Sequence, residues 1–441
     1  MKKLLCALLS LVMIFSFLSA CAQDTVDTPE ATDTATAATD TPEQTEAPLS
    51  GSITLMASQN WIKDVDRELF AKFQEETGVE VKVLVTPDNG YDTLLGTSLS
   101  GGSDAIDIFM YSGGSPMIAA GIPEIALDLS SEPWVANMAD WAIEANSVDG
   151  VLLGFSTWSI DYEGILYNQT LFEENGWEVP STWADFLTLC DAVQAAGITP
   201  FYEGINGVWH TQSWFYALTP VIAAEMPDYA EYLNTSKDNK WADIQAVTDG
   251  LTQIRDFLSH SPAYFTNDGQ SEDWYGSYDT LTNRECAMMF TYTAYAAELA
   301  ANGSTDTWGM FPCPLLDNTV AVNNGGGISK FINKNSDNIE ACKALLSFLA
   351  EDENLETYYA ARQDMVTAAF QGVESAASTT ATIEMTERST AAPVTMMIKS
   401  ITYWDPDIYQ YMQGFAAGTT SVEDFIAAMD DYRATMFDTA G

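Results

Sequence analysis

Ile53 to Ala57 is a short apolar run, and Val79, Val81, Val83 and Val85 recur at every second position, the period expected of strands. Between them Val65, Leu69, Phe70 and Phe73 fall at helical spacing, and Gly78 stops that helix. A second helical stretch near Tyr91 to Leu99 leads to a third strand, Ile106 to Met110, which ends in Tyr111-Ser112-Gly113-Gly114-Ser115. Strand, helix, strand, helix, strand is the pattern of a doubly wound parallel α/β sheet. Ligands of such sheets sit beyond the carboxyl ends of the strands. Asn60, Trp61 and Tyr111 occupy those ends and are the first candidate contacts.

Further along, Thr182 supplies a capping hydroxyl at Pro180-Ser181-Thr182-Trp183, ahead of an apolar stripe of Phe186, Leu189, Cys190 and Val193. Ile339, Cys342, Leu345, Leu346 and Leu349 form a similar stripe. The stretch from about Gly51 to Gly441 exceeds what one hydrophobic core usually supports, so two lobes are expected.

The first residues follow a different pattern. Lys2 and Lys3 precede an apolar run from Leu4 to Leu18 and then Leu18-Ser19-Ala20-Cys21, which predicts an export signal over residues 1–20. Leu-Ser-Ala-Cys resembles the bacterial lipobox, which implies a lipid on Cys21 and anchoring to a membrane. Residues 21–50 are rich in Thr, Ala, Asp, Glu and Pro, a composition that cannot offset its ordering entropy and reads as an acidic tether.

The formal charge is −46, with 17 Lys and Arg against 63 Asp and Glu, which argues against nucleic acid as a ligand. Beyond Cys6 and Cys21, the cysteines Cys190, Cys286, Cys313 and Cys342 are widely spaced and read as free thiols. His210 and His260 are the only histidines, too few for a histidine-rich metal site, and no metal or cofactor is expected. The loop after Tyr111 lacks a Lys-Ser/Thr continuation for phosphate, and the carboxylate pairs Glu75-Glu76 and Asp430-Asp431 read as helix-surface charge, so no catalytic residue is assigned.

Gly150 to Gly154, the polar and aromatic run Phe155 to Tyr162, Leu166-Tyr167-Asn168, Val179-Pro180 and Thr182-Trp183 follow one another in an order that resembles the extracellular solute-binding proteins that include the maltose-binding proteins. Gly78 to Val81, Asp107 to Phe109, Ala287 to Phe290, Trp308 to Pro312, Gly325 to Ile328, Asn333 to Ser336 and Ser421 to Phe425 continue the resemblance. It implies a two-lobe, periplasmic-binding-protein-like fold of type II, with hinge strands and an interlobe cleft. The lobes expected are 51–157 with 323–378, and 158–322 with 379–441.

The resemblance also implies a monomeric, non-enzymatic receptor at the outer face of the cytoplasmic membrane, serving the permease subunits of an ABC transporter. A carbohydrate ligand needs aromatic faces for its C–H surfaces and polar groups for its hydroxyls. Trp61, Tyr111, Trp158 and Trp209 stand among polar residues or glycines, outside any amphipathic stripe. Asp161, between Trp158 and Tyr162, matches the position where the maltose-binding pattern has an acidic sugar ligand. Tyr292, Tyr295 and Trp404 fall where the family places ligand-facing aromatics. Alternatives are an oligopeptide-binding protein and a surface glycan-binding or glycan-cleaving protein.

Overall fold

The computed structural model describes residues 49–87, 90–99, 106–259, 264–265, 274, 276–362, 364–365, 367–375, 378–405 and 407–440, without the side chains of 206–209 and 440. The expected signal, the lipid site at Cys21 and nearly all of the tether lie outside these residues.

The first sheet starts with β1 (Gly51–Ser58), whose alternation sends Ile53, Leu55 and Ala57 to one face and Met56 to the other. The helix Asp64–Thr77 lays Val65, Leu69, Phe70 and Phe73 on the first face, where they meet Leu346 and Phe348. Gly78 ends that helix at φ +79°, its N–H donating to the Gln74 carbonyl at 2.9 Å; an L side chain there would be strained. β2 (Val79–Thr86) and β3 (Ile108–Ser112) flank β1 in parallel. A hairpin of β4 (Ser147–Val148) and β5 (Val151–Leu152) turns on Asp149-Gly150, both at positive φ, and leads into β6 (Gly154–Ser156).

Residues 157–161 carry the chain out of this sheet into β7 (Tyr162–Asn168), the centre of a second sheet. β8 (Thr199–Tyr202) and β9 (Cys286–Tyr292) lie on one side of β7, while β10 (Trp308–Phe311) and β11 (Val322–Asn323) pair along its other edge. Residues 324–327 return to the first sheet as β12 (Ile328–Ile332), and β13 (Val394–Thr395) joins the second sheet beside β11. The orders are β2-β1-β3-β12-β6 and β13-β11-β7-β9-β8, with β10 also on β7.

The first sheet is therefore mixed, not wholly parallel as its opening pattern suggests: β12 runs antiparallel to both β3 and β6. The cause is topological. A chain re-entering from the other lobe arrives at the end where β3 leaves, so it must run the opposite way. Around the second sheet, Ile165 and Tyr167 pack with Phe186 and Trp214 on one face, and Leu166 with Met289 and Trp308 on the other. Cys190, Cys286, Cys313 and Cys342 are buried free thiols. Asp430, expected at the surface, is buried: it accepts from the Trp241 backbone N–H at 2.8 Å and lies 3.9 Å from Arg433, while Glu75 and Glu76 are exposed.

Candidate functional site

The strand directions bring one end of each sheet to the crossing segments. The carboxyl ends of β1, β3 and β6 and the start of β12 lie together in the first lobe; the start of β7 and the ends of β8 and β9 lie together in the second. On the first side, Trp61 packs edge-on to Tyr91 at 4.8 Å between ring centroids, and Tyr91 stacks on Tyr111 at 6.5 Å. The Tyr91 hydroxyl lies 2.6 Å from the Met110 carbonyl and 3.3 Å from that of Met56, tying the ends of β1 and β3 together. Burial, followed by the neighbouring Asp92 carboxylate, raises the Tyr111 phenol well above its ordinary value. Trp61 and Tyr111 are half-buried and Asn60 is exposed.

At the crossing, Asp161 is 9% exposed. Its backbone N–H donates to Asn324 Oδ1 at 3.1 Å and its Oδ1 accepts from Thr293 Oγ1 at 3.0 Å, so one residue joins two crossing segments to the end of β9. Burial pushes its carboxyl up to about 8, opposed by the Thr293 hydrogen bond and reinforced by Asp364, Glu163 and Glu298. Trp158 is held from two sides: a Cβ on Gly327 would come within 2.4 Å of its ring, and the Arg362 guanidinium sits 5.2 Å from the ring centroid. Its Nε1 is buried and has no hydrogen-bond partner among the described residues. Arg362 is itself paired with Asp364 at 2.7 Å.

On the second side Tyr162 and Tyr292 are half-buried. The Tyr292 hydroxyl donates to Glu298 at 3.0 Å, and its ring stacks on Trp274 at 5.8 Å. Tyr295 and Trp404 are not brought to this surface. Tyr295 is 0% exposed, its hydroxyl bonded to Ser277 Oγ and its ring against Trp274 and Tyr278. Trp404 is 6% exposed and packs on Phe215, Tyr216 and Trp241, since a ring inside an aromatic cluster gains more from packing than from facing water. The Trp209 side chain lies outside the described residues.

A charged group absent from the sequence reading lies beside these residues. Lys399 Nζ donates across the lobes to Ser112 Oγ at 2.6 Å and to the Gly113 carbonyl at 3.2 Å. Burial lowers this amine to about 8, opposed by the Glu163 carboxylate. Burial also raises Glu163, to about 7, against the pull of His210, Ser213 and Lys399. His210 Nδ1 lies 2.8 Å from Glu203 Oε1 and its Nε2 2.5 Å from the Phe290 carbonyl oxygen, while Glu203 Oε2 accepts from Trp214 Nε1 at 2.7 Å. Both ring nitrogens face acceptors, the arrangement of an imidazolium. Burial opposes that charge, and Glu203 restores it, holding the ring above its ordinary value. A signal for Lys399 was present: a lone cation inside Met396-Met397-Ile398-Lys399, in a chain with few cations.

A family model described as bacterial extracellular solute-binding protein matches residues 60–356. No curated protein sequence matches the chain. Among solved structures, the solute-binding protein RafE in complex with raffinose aligns with a TM-score of 0.71 and 18% identity, over 87% of this chain and 99% of that one. A sugar transporter protein of Bacillus licheniformis in complex with stachyose aligns with a TM-score of 0.69 and 14% identity, over 87% and 100%. A chitin oligosaccharide binding protein aligns with a TM-score of 0.69 and 20% identity, over 87% and 98%. The fold is thus the two-lobe, type II periplasmic-binding-protein-like α/β fold.

Proposed function

Because the chain belongs to the bacterial extracellular solute-binding protein family, we propose that it is the extracytoplasmic receptor of an ABC importer, capturing a sugar or short oligosaccharide and delivering it to the permease. In this reading it is a binding protein and not an enzyme, held at the outer face of the cytoplasmic membrane by a lipid on Cys21 and spaced from it by residues 21–50. The lobes are 51–157 with 323–378, and 158–322 with 379–441. The similar structures named for raffinose, stachyose and chitin oligosaccharide support a saccharide over a peptide.

The observation that carries the reading is Asp161, whose carboxyl is fixed by Thr293 and whose backbone is held by Asn324 where the chain passes between the lobes. Half-buried rings stand in the segments on either side: Trp61 and Tyr111 in one lobe, Tyr162 and Tyr292 in the other, with Asn60 at the rim. Such a carboxyl bonds sugar hydroxyls directionally while the rings cover C–H faces. Trp158, braced by Gly327 and Arg362, contributes its exposed edge; Tyr295 and Trp404 act beneath the surface as supports.

Calorimetric titration with saccharides tests this. Above about pH 8, where the Asp161 carboxyl ionises, Asp161→Ala is predicted to weaken binding by about 1.5–3 kcal/mol, the scale of a hydrogen bond to a charged group, and at neutral pH by about 0.5–1.5 kcal/mol, the scale of a neutral one, with an unchanged circular dichroism spectrum. Unchanged affinity would remove Asp161 from the site, and binding of peptides with indifference to every saccharide would overturn the sugar reading.

A further inference from the structure

A cavity of about 10 Å³ lies where the crossing segment 157–161 leaves the first sheet. Four elements wall it: the helix Asp64–Thr77 through Asp66 and Leu69, β12 through Lys330, the helix Ile339–Leu349 through Leu349, and the helix Asp352–Ala361 through Tyr358. Thr157, the first residue of the crossing, completes the wall. None of the six is more than 5% exposed, so the space is sealed from bulk solvent.

Two polar contacts fall short across this space. Lys330 Nζ stands 3.7 Å from Asp66 Oδ1, beyond the length of a direct hydrogen bond. Thr157 Oγ1 has no hydrogen-bond partner among the described residues. It is near enough to the Tyr358 phenol, which burial raises above its ordinary value, to oppose that rise together with Arg362. The Tyr358 oxygen accepts from Arg362 Nη1 at 2.8 Å and so still has its own proton to donate. Asp66 Oδ2 accepts from the Lys63 N–H, which leaves Oδ1 turned toward Lys330.

Buried donors and acceptors that do not meet cost free energy unless something joins them. A space of this size admits one water and no larger solute, and a buried water needs two to four polar partners. Lys330 and Asp66 face each other with opposite charges, so the site favours neither an anion nor a cation.

We propose that the cavity is a binding site for a single water, which accepts from Lys330 Nζ and the Tyr358 hydroxyl and donates to Asp66 Oδ1 and Thr157 Oγ1. These four bonds complete its tetrahedral shell. Through this water the outgoing crossing at Thr157 is pinned to β12, the strand by which the chain returns, and bending between the lobes is confined to the residues beyond Thr157.

A high-resolution crystal structure of the full chain tests the site directly. One solvent peak is expected at about 2.7–3.2 Å from each of Lys330 Nζ, Asp66 Oδ1, Thr157 Oγ1 and the Tyr358 oxygen. No peak there, or Lys330 Nζ bonded directly to Asp66 Oδ1, would overturn the assignment. Thr157→Val keeps the side-chain shape and removes the hydroxyl, and its effect has opposite signs with and without the water. With it, the variant strips away one of four partners, and the melting temperature falls by ~1–2 °C. Without it, a methyl replaces a partnerless buried hydroxyl, and an unchanged or higher melting temperature counts against the proposal. Amide hydrogen exchange over residues 157–161 is expected to quicken in the same variant, and exchange at the parent's rate would show that the water does not pin the crossing.

Discussion

The neighbouring carboxylates Asp364, Glu163 and Glu298 add to the effect of burial on Asp161. Arg362 is engaged by Asp364, Lys399 faces Glu163, and His210 is held by Glu203, so the nearby cations are matched elsewhere. In the unfolded chain the Asp161 carboxyl titrates at its ordinary value of 3.8; folded, burial pushes it up to about 8. Between those values the native state holds a proton that the unfolded state has lost, so stability falls as pH rises through that window. Asp161→Asn cannot ionise and escapes this penalty. We predict a melting-temperature advantage for Asp161→Asn that opens above about pH 4 and is complete near about pH 8. An advantage independent of pH would mean that the native carboxyl is already ionised across the range. At this scale the sequence reading had mixed reach. Asp161 stood out through its resemblance to the acidic position of the maltose-binding pattern, between Trp158 and Tyr162, but the packing of Trp404 on Phe215 and Trp241, distant in sequence, is something no local pattern announces.

Elements built on a regular apolar period were legible: the helix Asp64–Thr77 with its Gly78 stop, β2, and the helix Trp183–Ala195, whose Thr182 hydroxyl accepts from the Asp185 N–H at 3.1 Å. Strand direction was not, because it depends on where the chain re-enters the sheet. The return strand β12 also hides a charge in Ile-Ser-Lys-Phe-Ile: Lys330 is 2% exposed, with Nζ 3.7 Å from Asp66 Oδ1 on the helix Asp64–Thr77. Burial holds this amine below its ordinary value, and Asp66 opposes the shift while Arg362 adds to it. Asp66 Oδ2 also accepts from the Lys63 N–H at 3.0 Å, anchoring the helix start. Removing one member of a buried pair leaves the other charge uncompensated. Asp66→Ala is therefore predicted to cost about 3–5 kcal/mol in denaturant unfolding, with Asp66→Ala combined with Lys330→Met recovering much of the loss. A single-variant loss below about 1 kcal/mol, the scale of an exposed pair, would show that Lys330 reaches water.

Across the whole molecule the segments 157–161 and 324–327 pass between the two sheets, and Lys399 bonds from one lobe to the other beside them. Lys399 donates to Ser112 and Gly113 at the end of β3, its own carbonyl accepts from Ser115 Oγ at 3.0 Å, and a Cβ on Gly325 in the return segment would come within 3.1 Å of its Cγ. The contact thus sits beside a crossing, close to the axis of any rotation of one lobe on the other, where it acts as a pivot more than as a distant gate. A ligand that touches both lobes favours whichever arrangement brings its two sets of contacts together, so saccharide binding should compact the protein in small-angle scattering. Lys399→Met keeps the aliphatic stem but removes the donors to Ser112 and Gly113 and the cation facing Glu163. We predict a larger radius of gyration for unliganded Lys399→Met than for the parent, and weaker saccharide binding, because closure must then be driven without that pivot. The shift is bounded by the worth of a charged hydrogen bond, about 1.5–3 kcal/mol, so saturating ligand still closes the variant. If parent and variant scatter alike with and without ligand, the Lys399 amine does not set the balance between the lobes.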